Sequence, residues 1–142
     1  MTCFRRGHRD RGSVSLELAI LAPAVILLLG ALVFAGRVQT SSAAVEQAAR
    51  AAARDASLAR TADVAQSTAL ASAQRELARS DCSSTDVAVD TAGFTAPVGT
   101  AAVITVTVTC TVSMADLAIP GLPGSHILTG QATSPIDRYR SR

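Results

Sequence analysis

The residue of this chain best placed to do chemistry is an acid at the front of a long apolar run. Glu17 is followed by nineteen residues, Leu18–Gly36, that carry no charge and are almost all aliphatic. A carboxylate at the edge of hydrocarbon costs on the order of 2–3 kcal/mol unless it is paired, so an acid here is a candidate functional group. The alternative is that Glu17 lies at the depth of the lipid headgroups and is solvated.

A partner for this acid is available if the chain is processed after Gly12, five residues before it. The new amino terminus would be the amine of Ser13, and Glu17 would be the fifth residue of the mature chain. An amine and a carboxylate about one helical turn apart can pair within one chain, or between neighbouring chains packed in register. Such a cut would make Gly12 and Ser13 a processing junction and Glu17 a subunit-docking residue.

Two of the three cysteines form the second candidate pair. Cys82 and Cys110 follow the apolar run, whereas Cys3 precedes it. If the later part of the chain lies outside the cytoplasm, a disulfide between Cys82 and Cys110 is expected. It would stabilise the fold by roughly 3–4 kcal/mol in the chain-entropy model. Two buried free thiols are the alternative, and no histidine lies near either cysteine in sequence to complete a metal site.

The apolar run itself predicts a transmembrane helix. Nineteen helical residues rise roughly 28 Å, close to the ~30 Å hydrocarbon thickness of a bilayer. Pro23 lies within it and predicts a kink, because proline removes one backbone hydrogen bond. A cleaved secretory signal is the competing interpretation. The run is longer than the usual signal core of ~7–15 residues, but Val33-Phe34-Ala35 is a passable cleavage site.

The distribution of charge predicts the orientation and excludes one class of partner. Residues 1–12 hold four arginines against one aspartate, net +3, while the remaining 130 residues hold nine arginines against ten acids, net −1. A basic leader beside an apolar helix holds the N-terminus in the cytoplasm, so the body is expected outside. The body has no basic face with interleaved aromatic residues, which argues against binding to nucleic acid.

The region after the membrane helix predicts helix first and strand later. Alanine dominates residues 38–80. Larger apolar residues recur there and predict a narrow apolar stripe on a helix: Val38, Val45, Leu70 and Leu77, with Ala52 and Leu58 between them. A break in the helix is expected near Ser57–Thr61. Ala102–Ser113 alternates β-branched apolar residues with threonine, which predicts a half-buried strand. Shorter strands are expected at Asp86–Asp90 and Ile127–Ser134, the latter ended by Pro135. The Pro- and Gly-rich stretch Met114–Ser125 predicts a loop, most simply one that covers a sheet edge.

The first 55 residues resemble a known family. Gly12-Ser13-Val14-Ser15-Leu16-Glu17 before an apolar helix resembles the class III signal of type IV pilins, and the longer string resembles the TadE/TadG-like pseudopilins of the tight-adherence (Flp) pilus. The matching features are Arg11-Gly12, Glu17, Pro23, Gly36-Arg37 and the Ala/Arg-rich helix Glu46–Arg54. Flp-type major pilins carry Glu-Tyr at this site, whereas Leu18 follows Glu17 here, which favours a pseudopilin.

The resemblance implies a pilin-like α+β protein that is not an enzyme. The expected regions are a cytoplasmic leader (1–12), a transmembrane helix (13–36), an extracytoplasmic helical region (37–80) packed on a small antiparallel sheet, and a β-rich region (81–142). The implied function is that of a minor pseudopilin in tight-adherence pilus assembly or related secretion. The implied partners are a prepilin peptidase, other pilins or pseudopilins, the inner-membrane assembly platform and membrane lipid.

Two other interpretations remain open, and both lack catalytic chemistry. One is a small secreted binding or cell-surface protein cut after Ala35, and the other is an anchored protein that is never processed. The sequence contains no nucleophile elbow, phosphate loop, HExxH or paired-carboxylate motif. We therefore predict no catalytic residues, no metal and no cofactor.

Overall fold

The computed structural model describes residues 10–113 and 124–139, with side chains from Glu17 onward. Its elements are, in chain order, α1 (Asp10–Ser57), α2 (Ala62–Leu77), β1 (Cys82–Asp90), a 3₁₀ turn (Ala92–Thr95), β2 (Ala102–Ser113) and β3 (Ser125–Ile136). The packing divides the chain into two units, Met1–Gly36 and Arg37–Arg142. The fold is α+β, with a long N-terminal apolar helix, a second helix and a small antiparallel sheet, which confirms the predicted class.

Helix α1 is continuous over 48 residues. It begins at Asp10, so the last three residues of the predicted leader are already helical, and the rest of that leader lies outside the described residues. Pro23 lies inside α1 without ending it. A proline in a helix cannot donate a hydrogen bond to the carbonyl four residues earlier, which here belongs to Ala19.

The predicted break between the two helices is confirmed. Helix α1 ends at Ser57 and α2 begins at Ala62, with Thr61 as its N-cap in an extended conformation. The Thr61 hydroxyl accepts a hydrogen bond from the Val64 amide at 3.4 Å, and Asp63 lies in the first turn. This cap satisfies an amide that would otherwise have no partner within the helix, so the sequence signal has a direct physical cause.

The sheet is a three-stranded antiparallel meander with β2 in the centre. Strand β2 has the predicted bounds, and its predicted inward face is buried: Ile104, Val106, Val108, Cys110 and Val112. The alternating threonines lie on the opposite face, where they are only half-buried. The pattern of period two therefore predicted both the strand and the face that it buries.

The two edge strands are longer than predicted. Strand β1 begins at Cys82 rather than Asp86. Its pairing register with β2 shifts between Cys82 and Ser84, so inward and outward residues do not alternate regularly there and the sequence gives no clear strand pattern. Strand β3 extends through Pro135 to Ile136, and Pro135 pairs with Val103 of β2. A proline is tolerated here because β3 is an edge strand, where one missing ladder donor leaves no buried group unpaired.

The predicted stripe is confirmed at Val45, Ala52 and Leu77, but alanine forms most of the helical side of the core. The buried positions recur at helical spacing in both helices: Val45, Ala48, Ala49, Ala52, Ala53 and Ala56 in α1, and Ala65, Ala69, Ser72, Ala73 and Leu77 in α2. Leu58 and Leu70, which were predicted within the stripe, are exposed. A face of mostly small side chains lets a helix backbone approach its neighbour closely.

Two contacts fix α1 against β3 within the unit Arg37–Arg142. Gly130 of β3 lies against the backbone of α1 at Val45 and Glu46, where a Cβ atom would stand 2.8–2.9 Å from backbone atoms. Four residues further along β3, the Ser134 hydroxyl bonds the Ser57 hydroxyl at 3.0 Å. Strand β3 therefore runs in the same direction as this part of α1.

A third contact joins the two helices through Asp55. Its Oδ2 atom accepts a hydrogen bond from the Ser72 hydroxyl at 2.7 Å and one from Arg75 Nη2 at 3.2 Å. Ser72 is almost completely buried, so its hydroxyl depends on a partner within the protein. This link places α2 beside α1, while α2 packs along β1.

Candidate membrane anchor and assembly site

One helix in the described part of the chain is long and apolar enough to cross a membrane. The candidate segment runs from Glu17 to Ser57 near the N-terminus, and none of its most apolar window is buried in the structure. Large aliphatic side chains of α1 are exposed from Leu18 to Val33. Exposed aliphatic surface of this extent is incompatible with water and matches a lipid environment, so it fits a single-pass membrane anchor.

Glu17 lies at the N-terminal end of this apolar surface. Its side chain is exposed, and no ion pair to it occurs among the residues whose side chains are described. In α1 it stands four residues after Ser13, so the backbone places the two positions one turn apart on the same helix face. A cation at the Ser13 position, or one from a neighbouring helix, would therefore have direct access to the carboxylate.

Cys82 and Cys110 form the expected disulfide in the unit Arg37–Arg142. Their Cα atoms are 5.5 Å apart, and the bond links the first residue of β1 to the central strand. In the pairing register, Cys82 of β1 lies diagonally across from Cys110 of β2. Cys110 is buried with the valines of β2, as its place in the alternation predicted.

The disulfide lies in a part of β1 that buries few of its side chains. Of the first five residues of this strand, only Cys82 is even partly buried, and the next four are exposed. The two inward valines, Val87 and Val89, are half-buried and lie further along. Side-chain burial therefore stabilises the second half of β1, whereas the first half is held by its pairing with β2, by the hydrogen bond from Ser83 to the Thr111 carbonyl and by the disulfide.

A cleft that the sequence analysis missed opens where α1 meets α2. It has a volume of about 510 Å³ and is lined by residues 57–60 on one side and by residues 135–137 and Tyr139 on the other. Its apolar side chains include Leu58 and Tyr139, and its charged ones are Arg60 and Asp137. These residues belong to a helix connection and a strand end, which carry no recognisable motif, so only their exposure in the fold reveals them.

The described residues offer no clustered ligands for a metal ion. Among the described side chains, those of residues 17–113 and 124–139, no three histidine, cysteine or acidic residues lie close enough together to hold a metal ion. His126 is the second residue of β3 and is exposed.

Comparison with known proteins identifies the N-terminal part of the chain. The family model of TadE-like protein matches residues 12–54. No curated protein and no solved structure matches the chain. The matched segment begins at Gly12, includes Glu17 and Pro23, and ends within the alanine-rich part of α1. The match supports an association with assembly of the tight-adherence pilus and confirms the predicted resemblance over the matched residues: residues 12–54 of this chain are similar to TadE-like protein.

Proposed function

We propose that the chain is a membrane-anchored minor pseudopilin of tight-adherence (Flp-type) pilus assembly or of a related secretion system. The observation that carries this proposal is the TadE-like match over residues 12–54, which joins the Gly12–Glu17 segment to an exposed apolar helix. The role is structural rather than enzymatic, because TadE-like pilus proteins are structural components. Its direct partners would be pilin-like subunits.

In this proposal, a prepilin peptidase cuts between Gly12 and Ser13. The charged amine of Ser13 then lies one helical turn from the Glu17 carboxylate, at the N-terminal end of the apolar segment. Neutralising a carboxylate at this depth removes a cost on the order of 2–3 kcal/mol. A neighbouring subunit supplies the same amine when two helices pack in register, so the acid aligns one subunit with the next.

The proposed orientation places the leader in the cytoplasm and the unit Arg37–Arg142 outside. Support comes from the four arginines of residues 1–12 and from the single Arg37 at the other end of the apolar segment. The disulfide between Cys82 and Cys110 is consistent with that side, since disulfides persist outside the reducing cytoplasm. The inner-membrane assembly platform would contact the cytoplasmic end, and other pseudopilins would contact the helix and the exported body.

The match also bears on the secreted alternative. A cut after Ala35 would discard the first half of the matched segment, including Gly12 and Glu17, and would leave α1 beginning at Gly36. Retention of the whole segment is the simpler reading, because the family pattern continues for 19 residues beyond Ala35.

N-terminal sequencing of the exported protein tests the proposal directly. A chain that begins at Ser13 supports it, a chain that begins at Gly36 supports the secreted alternative, and a chain that begins at Met1 is an unprocessed anchor.

The docking role is tested by Glu17→Ala, which should still insert in the membrane but should no longer co-purify with tagged partner pseudopilins. Glu46→Ala, which removes an exposed acid from the same helix beyond the apolar run, is the matched control and should co-purify normally. Normal co-purification of Glu17→Ala would refute the docking role.

A further inference from the structure

The cleft between the α1–α2 connection and the end of β3 exposes apolar side chains to an unusual degree. Leu58 is 78% exposed and Tyr139 is 83% exposed, more than any other large apolar residue in the described part of the chain. Both line the same cleft. Exposed apolar side chains that are grouped, rather than scattered, mark a surface that another molecule covers. Tyrosine and arginine are also enriched at protein interfaces, and this cleft contains one of each.

The charged residues of the cleft indicate which molecule that is. Arg60 lies on the wall formed by the helix connection, and Asp137 lies on the wall formed by the end of β3. No ion pair joins them, and neither makes one with any other described side chain. Asp137 accepts only the Tyr139 amide, at 3.0 Å, among the described hydrogen bonds. The cleft thus presents one positive and one negative group that come from two different segments and make no ion pair among the described side chains.

Such an arrangement is complementary to itself. A two-fold axis through the cleft sets the helix connection of one copy against the end of β3 of the second copy. Arg60 of each copy then faces Asp137 of the other. The same operation sets Leu58 of one copy against Tyr139 of the second. Contacts that repeat in this reciprocal way are the mark of an isologous interface. An acidic or a basic foreign partner would pair only one of the two charges and would meet repulsion from the other.

We propose that this cleft is a self-association surface at which a second copy of the chain binds through reciprocal Arg60–Asp137 and Leu58–Tyr139 contacts. The surface lies wholly within the unit Arg37–Arg142, so it does not depend on processing after Gly12 or on Glu17. Because the patch is small and its charges are exposed, the association is expected to be weak, reversible and sensitive to salt.

The test is sedimentation equilibrium of the full-length chain in density-matched detergent micelles. Arg60→Asp and Asp137→Arg should each raise the apparent dimer dissociation constant at least about tenfold, since both substitutions place like charges opposite one another. An equimolar mixture of the two variants should restore the wild-type constant to within about threefold, because each then meets its opposite charge. Leu58→Ala with Tyr139→Ala should weaken the dimer without lowering the melting temperature, since both side chains are exposed.

Arg54→Asp is the matched control, because it reverses an exposed arginine of α1 that does not line the cleft. Its dissociation constant should stay within about twofold of the wild type. A wild-type monomer, a dimer that ignores Arg60→Asp and Asp137→Arg, or a mixture that fails to restore association would each overturn the proposal. A mature chain that begins at Gly36 or Met1 would refute processing after Gly12 and leave the cleft residues in place, so failure of the pseudopilin assignment and failure of the self-association surface are separable.

Discussion

A Cβ atom placed on Gly130 would stand 2.8 Å from the carbonyl oxygen of Val45, because β3 lies directly against the backbone of α1 at this point. Carbon and oxygen atoms at that separation repel each other, so any larger residue must push the strand away from the helix. The absence of a side chain on Gly130 is therefore a condition for the packing of β3 on α1.

Gly130→Ala should lower the free energy of unfolding by about 1–3 kcal/mol, the usual cost of forcing a methyl group into a packed site. Urea unfolding of the full-length chain in detergent, followed by circular dichroism, gives this value. Thr129→Ala changes the neighbouring exposed residue of β3 and should cost only about 0.5 kcal/mol. Equal losses in the two variants would show that the close approach at Gly130 contributes nothing.

Replacing both Cys82 and Cys110 by serine should lower the free energy of unfolding by roughly 3–4 kcal/mol, because the bond closes a loop that spans 28 residues. Reductant should destabilise the wild type and leave the double variant unchanged. Alkylation followed by mass spectrometry supplies a second readout. The native, non-reduced chain should react at one thiol, that of Cys3, and labelling of three thiols would contradict the disulfide.

Asp55→Ala should cost about 1–2 kcal/mol, because it leaves the buried hydroxyl of Ser72 without its acceptor. Glu46→Ala breaks the other ion pair described in the structure, Glu46–Arg50, in which both side chains are more than half exposed. That control should cost no more than about 0.5 kcal/mol, because an exposed pair spaced by four residues contributes little. Thermal unfolding of both variants in the same buffer distinguishes the buried hydrogen bond from the surface charge.

Thr61→Ala should destabilise the chain by about 1 kcal/mol, because the Val64 amide loses the hydroxyl that caps α2. Thr61→Ser keeps an oxygen at the same place and should retain most of the stability. Hydrogen exchange of the amides in the first turn of α2 is the measurement. Exchange should be faster in Thr61→Ala than in Thr61→Ser, and identical rates would exclude a capping role.

The sequence by itself determined the elements whose signals are local. A run of aliphatic residues without charge determined the long apolar helix that fits a membrane anchor, because a bilayer core admits few charged side chains. A threonine followed by an acid determined the start of α2, and strict alternation determined β2 and its buried face. The Gly12–Glu17 segment carried the family resemblance that the TadE-like match confirms. In each case the physical cause lies within one turn or one strand.

Only the tertiary structure decided which residues meet across the fold. It buried mostly alanines on the helix faces in the core, and it brought α1 close to β3 at Gly130, far away in sequence. It extended β1 back to Cys82 and β3 forward past Pro135, because pairing with β2 outweighs weak local signals. It also brought Leu58 and Arg60 beside Asp137 and Tyr139, a juxtaposition of segments some eighty residues apart that no local pattern encodes.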